Sequence, residues 1–221
     1  MSEAQGTSGG VESLYPFLYE GKANLGVVLE EVARSTVEKA AEIVALRQDV
    51  ATRYGELLED CAADMASRFA AGGRLLSFGN GGSSTDAQDV TQIFLNPQGG
   101  RPLPALCLTN DLAVLTALAN DIGFEVVFSR QIAALGRPGD IALGISTSGG
   151  SDNVLAAFAE ARRRGLLTIG LAGYDGGRMA EEGTVDFLFV VPSSSVHRIQ
   201  EAQTTTYHVL WALTMRALVE A

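Results

Sequence analysis

The sequence has no long apolar run and nothing that resembles a signal peptide, and these two absences exclude classes of protein. Segments such as 141–145 and 187–191 are strongly apolar, yet they are far shorter than the run of about 18 residues that a membrane-spanning helix needs. The first ten residues, MSEAQGTSGG, lack the positive start and the apolar segment of a signal peptide. We therefore expect no membrane partner and a cytoplasmic location.

Cysteine and basic residues are also scarce. Only Cys61 and Cys107 occur, without C-x-x-C spacing, so we expect two ordinary buried thiols. The 16 basic residues are outnumbered by 26 acidic ones, and the net charge of −10 argues against a nucleic-acid partner. The one basic cluster, 162–164, precedes Gly165 and is typical of the last turn of a helix. An acidic chain that binds phosphate must then use local backbone dipoles.

What the sequence does contain is a pattern of helices and short apolar strands. We expect residues 1–21 to be disordered or extended and residues 22–221 to form a single domain. From about Leu25 to Ala71 the periodicity predicts two long amphipathic helices, which would form an N-terminal helical hairpin. Five runs rich in Val, Ile, Leu and Phe predict strands at Arg74–Phe78, Ala105–Thr109, Ile141–Ser146, Leu167–Ala172 and Asp186–Val191.

Helical patterns separate most of these runs. Strands and helices that alternate in this way predict an α/β fold with a five-stranded parallel, doubly wound sheet of the flavodoxin-like kind, flanked by helices. Ligands in such sheets bind at the carboxyl ends of the strands. The loops after the strands are therefore the place to look for function.

Two of these loops are rich in glycine and hydroxyl side chains. The first strand is followed by GNGGSSTD at 79–86 and the third by STSGGS at 146–151, and each loop leads into a predicted helix. Glycines allow close backbone approach, hydroxyls donate hydrogen bonds, and a helix N-terminus presents unpaired N–H groups. Two such loops in one sheet favour a shared phosphate site, although Ser83 and Ser151 could also serve only as helix caps.

A dinucleotide-binding fold is the obvious alternative, but the spacing does not fit it. The segment GNGGSS lacks the third glycine of G-x-G-x-x-G, and no acidic residue ends a second strand about 20 residues later. The lysine motif of the P-loop is also absent. Nucleotide cofactors are therefore not expected.

Four segments together resemble the phosphoheptose isomerases of the sugar isomerase (SIS) family: GNGGSSTDAQ at 79–88, LANDIGF at 118–124, GDIALGISTSGGSDNV at 139–154 and RIQEAQ at 198–203. The resemblance implies the SIS fold, a phosphorylated sugar as ligand, and a homotetramer whose active sites are shared between subunits. The substrate-binding residues that it implies, with Ser83 added from the loop pattern, are Asn80, Gly81, Gly82, Ser83, Asn120, Asp121, Ser146, Thr147, Ser148, Ser151 and Gln200.

The chain departs from that family at the metal and base positions. The resemblance implies a zinc site built from His and Glu on one helix with Gln and His on another, the Glu also being the catalytic base. Gln200 and His208 match the second pair, but Asp89 and Ile93 stand where the first pair is expected. An isoleucine can neither bind a metal nor move a proton.

We expect His208 and Asp89 to be the catalytic residues, with Asp86 and Gln92 as weaker candidates for the base. Asp89, Gln200 and His208 would make at most a weak metal site, so bound zinc is doubtful. A lone histidine among apolar neighbours is also often a core residue.

Three functions remain open at this point. The first is an aldose–ketose isomerase that acts on sedoheptulose 7-phosphate or a related phosphosugar. The second is a non-catalytic SIS protein similar to the factor that associates with the bacterial replication initiator, in which the sugar phosphate site persists without the base. The third is amino-sugar chemistry, which we rank last because related enzymes usually carry extra domains.

Overall fold

The computed structural model describes residues 25–220 and divides the chain after Glu42 into two compact units. One helix, α1, runs over Leu25–Ala70. The prediction of a helical hairpin in this region is therefore wrong. No proline occurs in the segment, and Gly55 has open space around it and remains helical, so nothing in the sequence ends the helix earlier.

The unit that begins at Ile43 contains a five-stranded sheet, and all of its paired strands are parallel. The strands are β1 Leu75–Gly79, β2 Ala105–Cys107, β3 Ile141–Ser146, β4 Leu167–Gly173 and β5 Phe187–Val191, in the spatial order β2-β1-β3-β4-β5. The predicted fold class is confirmed, and each predicted strand overlaps an observed one.

Helices connect and flank these strands. They are α2 Gly82–Leu95, α3 Leu112–Asp121, α4 Val127–Leu135, α5 Asp152–Arg163, α6 Gly177–Glu181 and α7 Val196–Glu220, with a short 3-10 turn at Phe124–Val126. The basic cluster 162–164 lies at the end of α5, where Arg163 and Arg164 pair with Glu160. It is a helix terminus, as predicted.

Two apolar layers cover the two faces of the sheet. Side chains alternate along each strand, so Leu75 joins the layer formed with α1, α2 and α7, whereas Leu76 joins the layer formed with α4 and α5. Both cysteines are free and buried, as predicted, and burial raises the pKa of Cys61 well above its ordinary value. Because α2 and α7 share one face, residues from two distant parts of the sequence meet beside β1.

The part of the chain that the structure describes holds no helix apolar and long enough to cross a bilayer. The expected disorder of residues 1–21 lies outside the described residues. The single domain over 22–221 stays a prediction.

Candidate active site

The loop after β1 makes a sharp turn into α2. Gly81 has a φ of +54°, a left-handed conformation that disfavours a side chain, and the N–H of Ser84 donates to the Gly81 carbonyl at 2.9 Å. Helix α2 therefore starts directly at the end of the strand. Its first N–H groups, which have no partner within the helix, face the carboxyl edge of the sheet.

The loop after β3 gathers three serine hydroxyls. The Oγ atom of Ser146 lies 3.0 Å from that of Ser151 and 3.4 Å from that of Ser148. Ser151 is the N-cap residue of α5, but its side chain makes no capping hydrogen bond, and Ser83 lies buried inside the first turn of α2. The alternative in which these serines only cap helices therefore does not describe this structure.

The backbone of the second loop is held from the side of β4. The N–H of Gly173 donates to the carbonyl of Thr147 at 3.0 Å, and the N–H of Met179 donates to that of Gly149 at 2.8 Å. These bonds fix the loop before any ligand arrives.

The two loops are next to each other because β1 and β3 are neighbours in the sheet, with Gly79 paired to Ile145. The amides of Asn80 and Asn153 exchange two hydrogen bonds, of 2.8 and 2.9 Å, and so join the first loop to the start of α5. The structure thus brings together the two loops that the sequence proposed as one site.

Helix α7 forms a third wall of the site. The Gln200 amide packs directly against the Cα of Gly82, so close that a Cβ at position 82 would collide with Gln200 Nε2. A side chain at position 82 would therefore displace the Gln200 amide from the loop. Gln200 therefore lies at the first glycine loop, as expected for a residue of the site.

Asp89 and His208 meet through a residue that the sequence analysis did not select. The hydroxyl of Tyr207 donates to Asp89 Oδ2 at 2.7 Å, and the Tyr207 ring stacks on the His208 ring with a centroid separation of 5.0 Å. His208 is exposed rather than a core residue. Its Nδ1 lies 2.9 Å from the carbonyl oxygen of Thr204 and so carries the proton, which leaves Nε2 as the basic nitrogen of the neutral ring.

Asp86, a weaker candidate in the sequence, lies one turn after Gly82 on α2. Its Oδ2 atom is buried and has no hydrogen-bond partner among the described residues. Burial raises the pKa of Asp86 to about 6, and the charge of Asp89 adds to the rise. A carboxylate in this state is a stronger base than an ordinary aspartate and still ionised at neutral pH.

The side chains at the expected metal positions do not suit zinc. Ile93 packs against the core layer that contains Tyr207, and an oxygen of Asp89 is already engaged by the Tyr207 hydroxyl. Residues 25–220 contain no group of three His, Cys, Asp or Glu side chains arranged to hold a metal ion. One carboxylate, one amide and one imidazole are a poor donor set for this ion.

Asn120 and Asp121 lie at the end of α3, both exposed. The Asn120 amide donates to Asp121 Oδ1 at 2.8 Å. None of the hydrogen bonds found within residues 25–220 connects this pair to the two loops.

Asn153 and Tyr207 were missed as site residues. Asn153 lies inside the quoted segment 139–154, and its position in the first turn of a helix after a glycine loop was a usable signal. Tyr207 carried no such signal, because an aromatic residue between Thr206 and His208 on an amphipathic helix is most often a core residue.

Comparison with known proteins agrees with this geometry. The profile of the family described as SIS domain matches residues 37–173. A phosphoheptose isomerase from Solidesulfovibrio magneticus is 43% identical over 194 residues, which cover 87% of this chain and 94% of that protein.

Two solved structures are also similar. That of phosphoheptose isomerase from Neisseria gonorrhoeae superposes with a TM-score of 0.75 at 36% identity, covering 84% of this chain and 97% of the other. That of a phosphoheptose isomerase from Francisella tularensis gives 0.77 at 32%, covering 86% and 98%. This chain belongs to the SIS domain family and, within it, to the phosphoheptose isomerase group.

Proposed function

We propose that this protein is an aldose–ketose isomerase that binds a phosphorylated sugar, of the sedoheptulose 7-phosphate class, between the loops after β1 and β3. The observation that carries the proposal is the joining of these two loops by the Asn80–Asn153 amide pair, with Gln200 closing the site from α7. Relatives with the name phosphoheptose isomerase, alignable over most of both chains, support the same substrate class.

The phosphate group binds at the loop after β3. The hydroxyls of Ser148 and Ser151 both lie within 3.4 Å of that of Ser146, and the N-terminus of α5 supplies backbone N–H groups and the positive end of a helix dipole. A dianion is held here without lysine or arginine, which fits a chain of net charge −10. The sugar then extends toward Gly82 and Gln200.

The chemistry is a proton transfer between two neighbouring carbons. A base removes the proton from C1 of the ketose, the resulting enediol carries the electrons as a C1–C2 double bond, and a proton returned to C2 gives the aldose. Such a reaction needs a carboxylate or imidazole beside the carbons and a proton donor at the oxygens. Three groups on α2 and α7 meet these needs: Asp86, Asp89 and His208.

The base is an aspartate of α2, in place of the glutamate that the family has at position 93. Asp86 and Asp89 both lie on the face of α2 that meets α7, and burial raises the pKa of Asp86. His208 Nε2 serves as the acid and base at the sugar oxygens. This assignment needs no side chain at position 93.

The active oligomer is a homotetramer with shared sites. Three observations support it. Apolar side chains on α1 are exposed in the first unit, among them Val32 and Val37, and α3 has no buried residue although most of its side chains are apolar. A groove of about 960 Å³ also runs beside α3 and α4, lined mainly by apolar residues such as Leu112 and Leu118. Asn120 and Asp121 at the end of α3 would then reach a neighbour's site.

The test is an isomerisation assay with sedoheptulose 7-phosphate, run together with calorimetric binding of the same sugar. We expect turnover in the parent and a loss of about 100-fold or more in kcat for Asp86→Asn and for His208→Ala, the usual range for a general acid or base. Ser151→Ala is the matched control: it should weaken binding by about tenfold, the loss of one hydrogen bond to a charged group, while kcat changes little.

Two results would contradict the proposal. Binding without any turnover in the parent would make the chain a sugar phosphate sensor, the non-catalytic alternative. A parent that shows neither binding nor turnover would contradict the phosphosugar site itself.

A further inference from the structure

Tyr207 lies between Asp89 and His208, two of the three side chains that carry the proposed chemistry. It is 2% exposed, its hydroxyl donates to Asp89 Oδ2 at 2.7 Å, and its ring stacks on His208 at an interplanar angle of 29°. One side chain thus contacts the carboxylate from α2 and the imidazole from α7. We infer that Tyr207 is the positioning residue of this active site and that its phenol, rather than a metal ion, holds Asp89 and His208 in their working arrangement.

The register of the two helices supports this inference. Helix α7 touches α2 at Gln200 against Gly82, and again at Tyr207 against Asp89. The second contact lies seven residues after the first contact on both helices. Because seven residues make about two helical turns, both contacts lie on the same faces of two helices that run side by side in the same direction. The Tyr207–Asp89 bond therefore fixes the second turn of a contact whose first turn forms the sugar site.

The phenol remains a hydrogen-bond donor under all ordinary conditions. Burial raises the pKa of Tyr207 above its usual value, and the bond to Asp89 raises it further, against an opposing effect of Thr204. The Thr204 hydroxyl lies 3.4 Å from the phenol oxygen and itself donates to the Gln200 carbonyl at 3.0 Å. Because the phenol gives its one proton to Asp89 and Thr204 gives its own to Gln200, the Tyr207–Thr204 approach is a contact beside the Asp89 bond and not a second strong hydrogen bond.

The same contact adds to the poor fit of these residues to zinc. The Tyr207 hydroxyl occupies Asp89 Oδ2 and leaves Oδ1 as the free carboxylate oxygen for a metal, and Ile93, which packs against the core layer, has no donor atom to add. A hydroxyl that donates one strong bond to a carboxylate fixes its direction as a metal would. On this inference the Tyr207 hydroxyl supplies the alignment of Asp89 that a metal ion would otherwise give.

The inference rests on the proposed function, and Tyr207→Phe tests it. This change removes only the hydroxyl and keeps the buried ring. The matched control is Tyr54→Phe, since Tyr54 belongs to the same core layer and its hydroxyl accepts from Val190 N at 3.3 Å, away from the site. We measure kcat and KM, zinc content, and binding of inorganic phosphate and of a phosphorylated hydroxamate that copies the planar enediol.

We expect Tyr207→Phe to lower kcat by about tenfold to a hundredfold, a typical effect of a misplaced catalytic group, with KM within about twofold. Hydroxamate binding should weaken by about tenfold, whereas phosphate binding should stay unchanged, because phosphate lies at the other loop. In an Asp89→Asn background the same change should cost nothing further. The parent should remain fully active after treatment with a chelator.

The outcomes separate this inference from the proposed function. A parent without turnover contradicts the proposed isomerase activity. The comparison of hydroxamate binding between the parent and Tyr207→Phe then tests the positioning role of Tyr207. Equal hydroxamate binding and equal kcat in parent and Tyr207→Phe overturn the inference, as does stoichiometric zinc whose removal abolishes activity.

A general packing effect would lower kcat in Tyr54→Phe as much as in Tyr207→Phe. This result would also overturn the positioning role. Should Tyr207→Phe not fold, a polyfluorinated tyrosine at position 207 replaces it. This residue keeps the buried ring and alters the strength of the bond to Asp89, so kcat and hydroxamate binding should change while phosphate binding stays unchanged. An unchanged kcat would contradict the inference.

Discussion

Asp86 and Asp89 lie one turn apart on the same helix, but their surroundings give them different properties. Asp89 accepts a hydrogen bond from Tyr207, whereas the buried Oδ2 of Asp86 has no partner among the described residues. An unpaired buried carboxylate lowers the stability of the fold, and proteins keep such groups mainly where function needs them. Asp86 is therefore the residue at which stability and activity should conflict.

The first prediction concerns Asp86→Asn. Burial raises the pKa of Asp86 from its ordinary value of 3.8 to about 6, so the folded state binds more protons than the unfolded state between these two values. The parent thus loses stability as the pH rises from about 4 to 6. A full shift of this size is worth about 3 kcal/mol, and partial exposure reduces it, so we expect Asp86→Asn to be about 1–2 kcal/mol more stable at pH 7.

Urea denaturation at several pH values measures this effect. The advantage of Asp86→Asn should shrink as the pH falls and vanish below about pH 4, where both states of the parent carry the proton. The same variant should lose isomerase activity. A variant that is less stable at pH 7 would show that the carboxylate has a stabilising partner and is not a strained base.

At the scale of elements, two glycines show which contacts shape the site and which hold the fold. A Cβ at Gly82 would meet the far end of a flexible side chain, Gln200, which can move aside. A Cβ at Gly149 would meet the backbone carbonyl of Gly176, and Gly149 has a φ of +63°. The first contact belongs to function and the second to the packing of the β3 loop on α6.

The second prediction follows from this difference. Gly82→Ala should leave the free energy of unfolding within about 1 kcal/mol of the parent but should weaken sugar binding, because Gln200 is displaced. Gly149→Ala should cost at least about 2 kcal/mol, because a left-handed backbone and a backbone collision add up. Gly72→Ala separates the two causes, since Gly72 has a φ of +88° and open space around it. Equal losses in all three variants would contradict the distinction.

The sequence predicted these elements well where local signals were strong. The sequence predicts the strand Ile141–Ser146 with its observed bounds, because a short apolar segment between Asp140 and a glycine loop is typical of a buried strand. The start of the site was equally clear from its glycines and serines. The long helix α1 was not, because amphipathic periodicity shows that a segment is helical but does not show whether one helix or two cover it.

The part of the site between α2 and α7 could not be predicted in the same way. The hydrogen bond between Asp89 and Tyr207 joins residues 118 positions apart, and it depends on the register of two helices packed on one face of the sheet. No local pattern encodes that register, because it results from packing throughout the core layer. Residue types therefore identified Asp89 and His208 as candidates, while the residue that connects them required the fold.

At the scale of the whole molecule, the exposed apolar residues need an explanation. Val37 is 69% exposed on α1, and Leu112 is 70% exposed on α3. Scattered apolar residues are common on protein surfaces, but α3 carries Leu, Ala and Val along its length with no buried member. A helix of this composition is typical of an interface between subunits.

The third prediction is therefore that the protein in solution is a tetramer, with about four times the chain mass of 23.2 kDa by light scattering. Val37→Glu and Leu112→Glu should each shift it to smaller species, because a buried unpaired carboxylate at an interface costs several kcal/mol. Val219→Glu, at an exposed valine on α7, is the control and should leave the mass unchanged.

If the sites are shared between subunits, the activity of the first two variants should fall together with their mass. Activity should recover when either variant is mixed with a chain that assembles normally but lacks a catalytic side chain. A parent that scatters as a monomer and still turns over sugar would place all catalytic groups within one chain, and Asn120 and Asp121 would then have no part in the site.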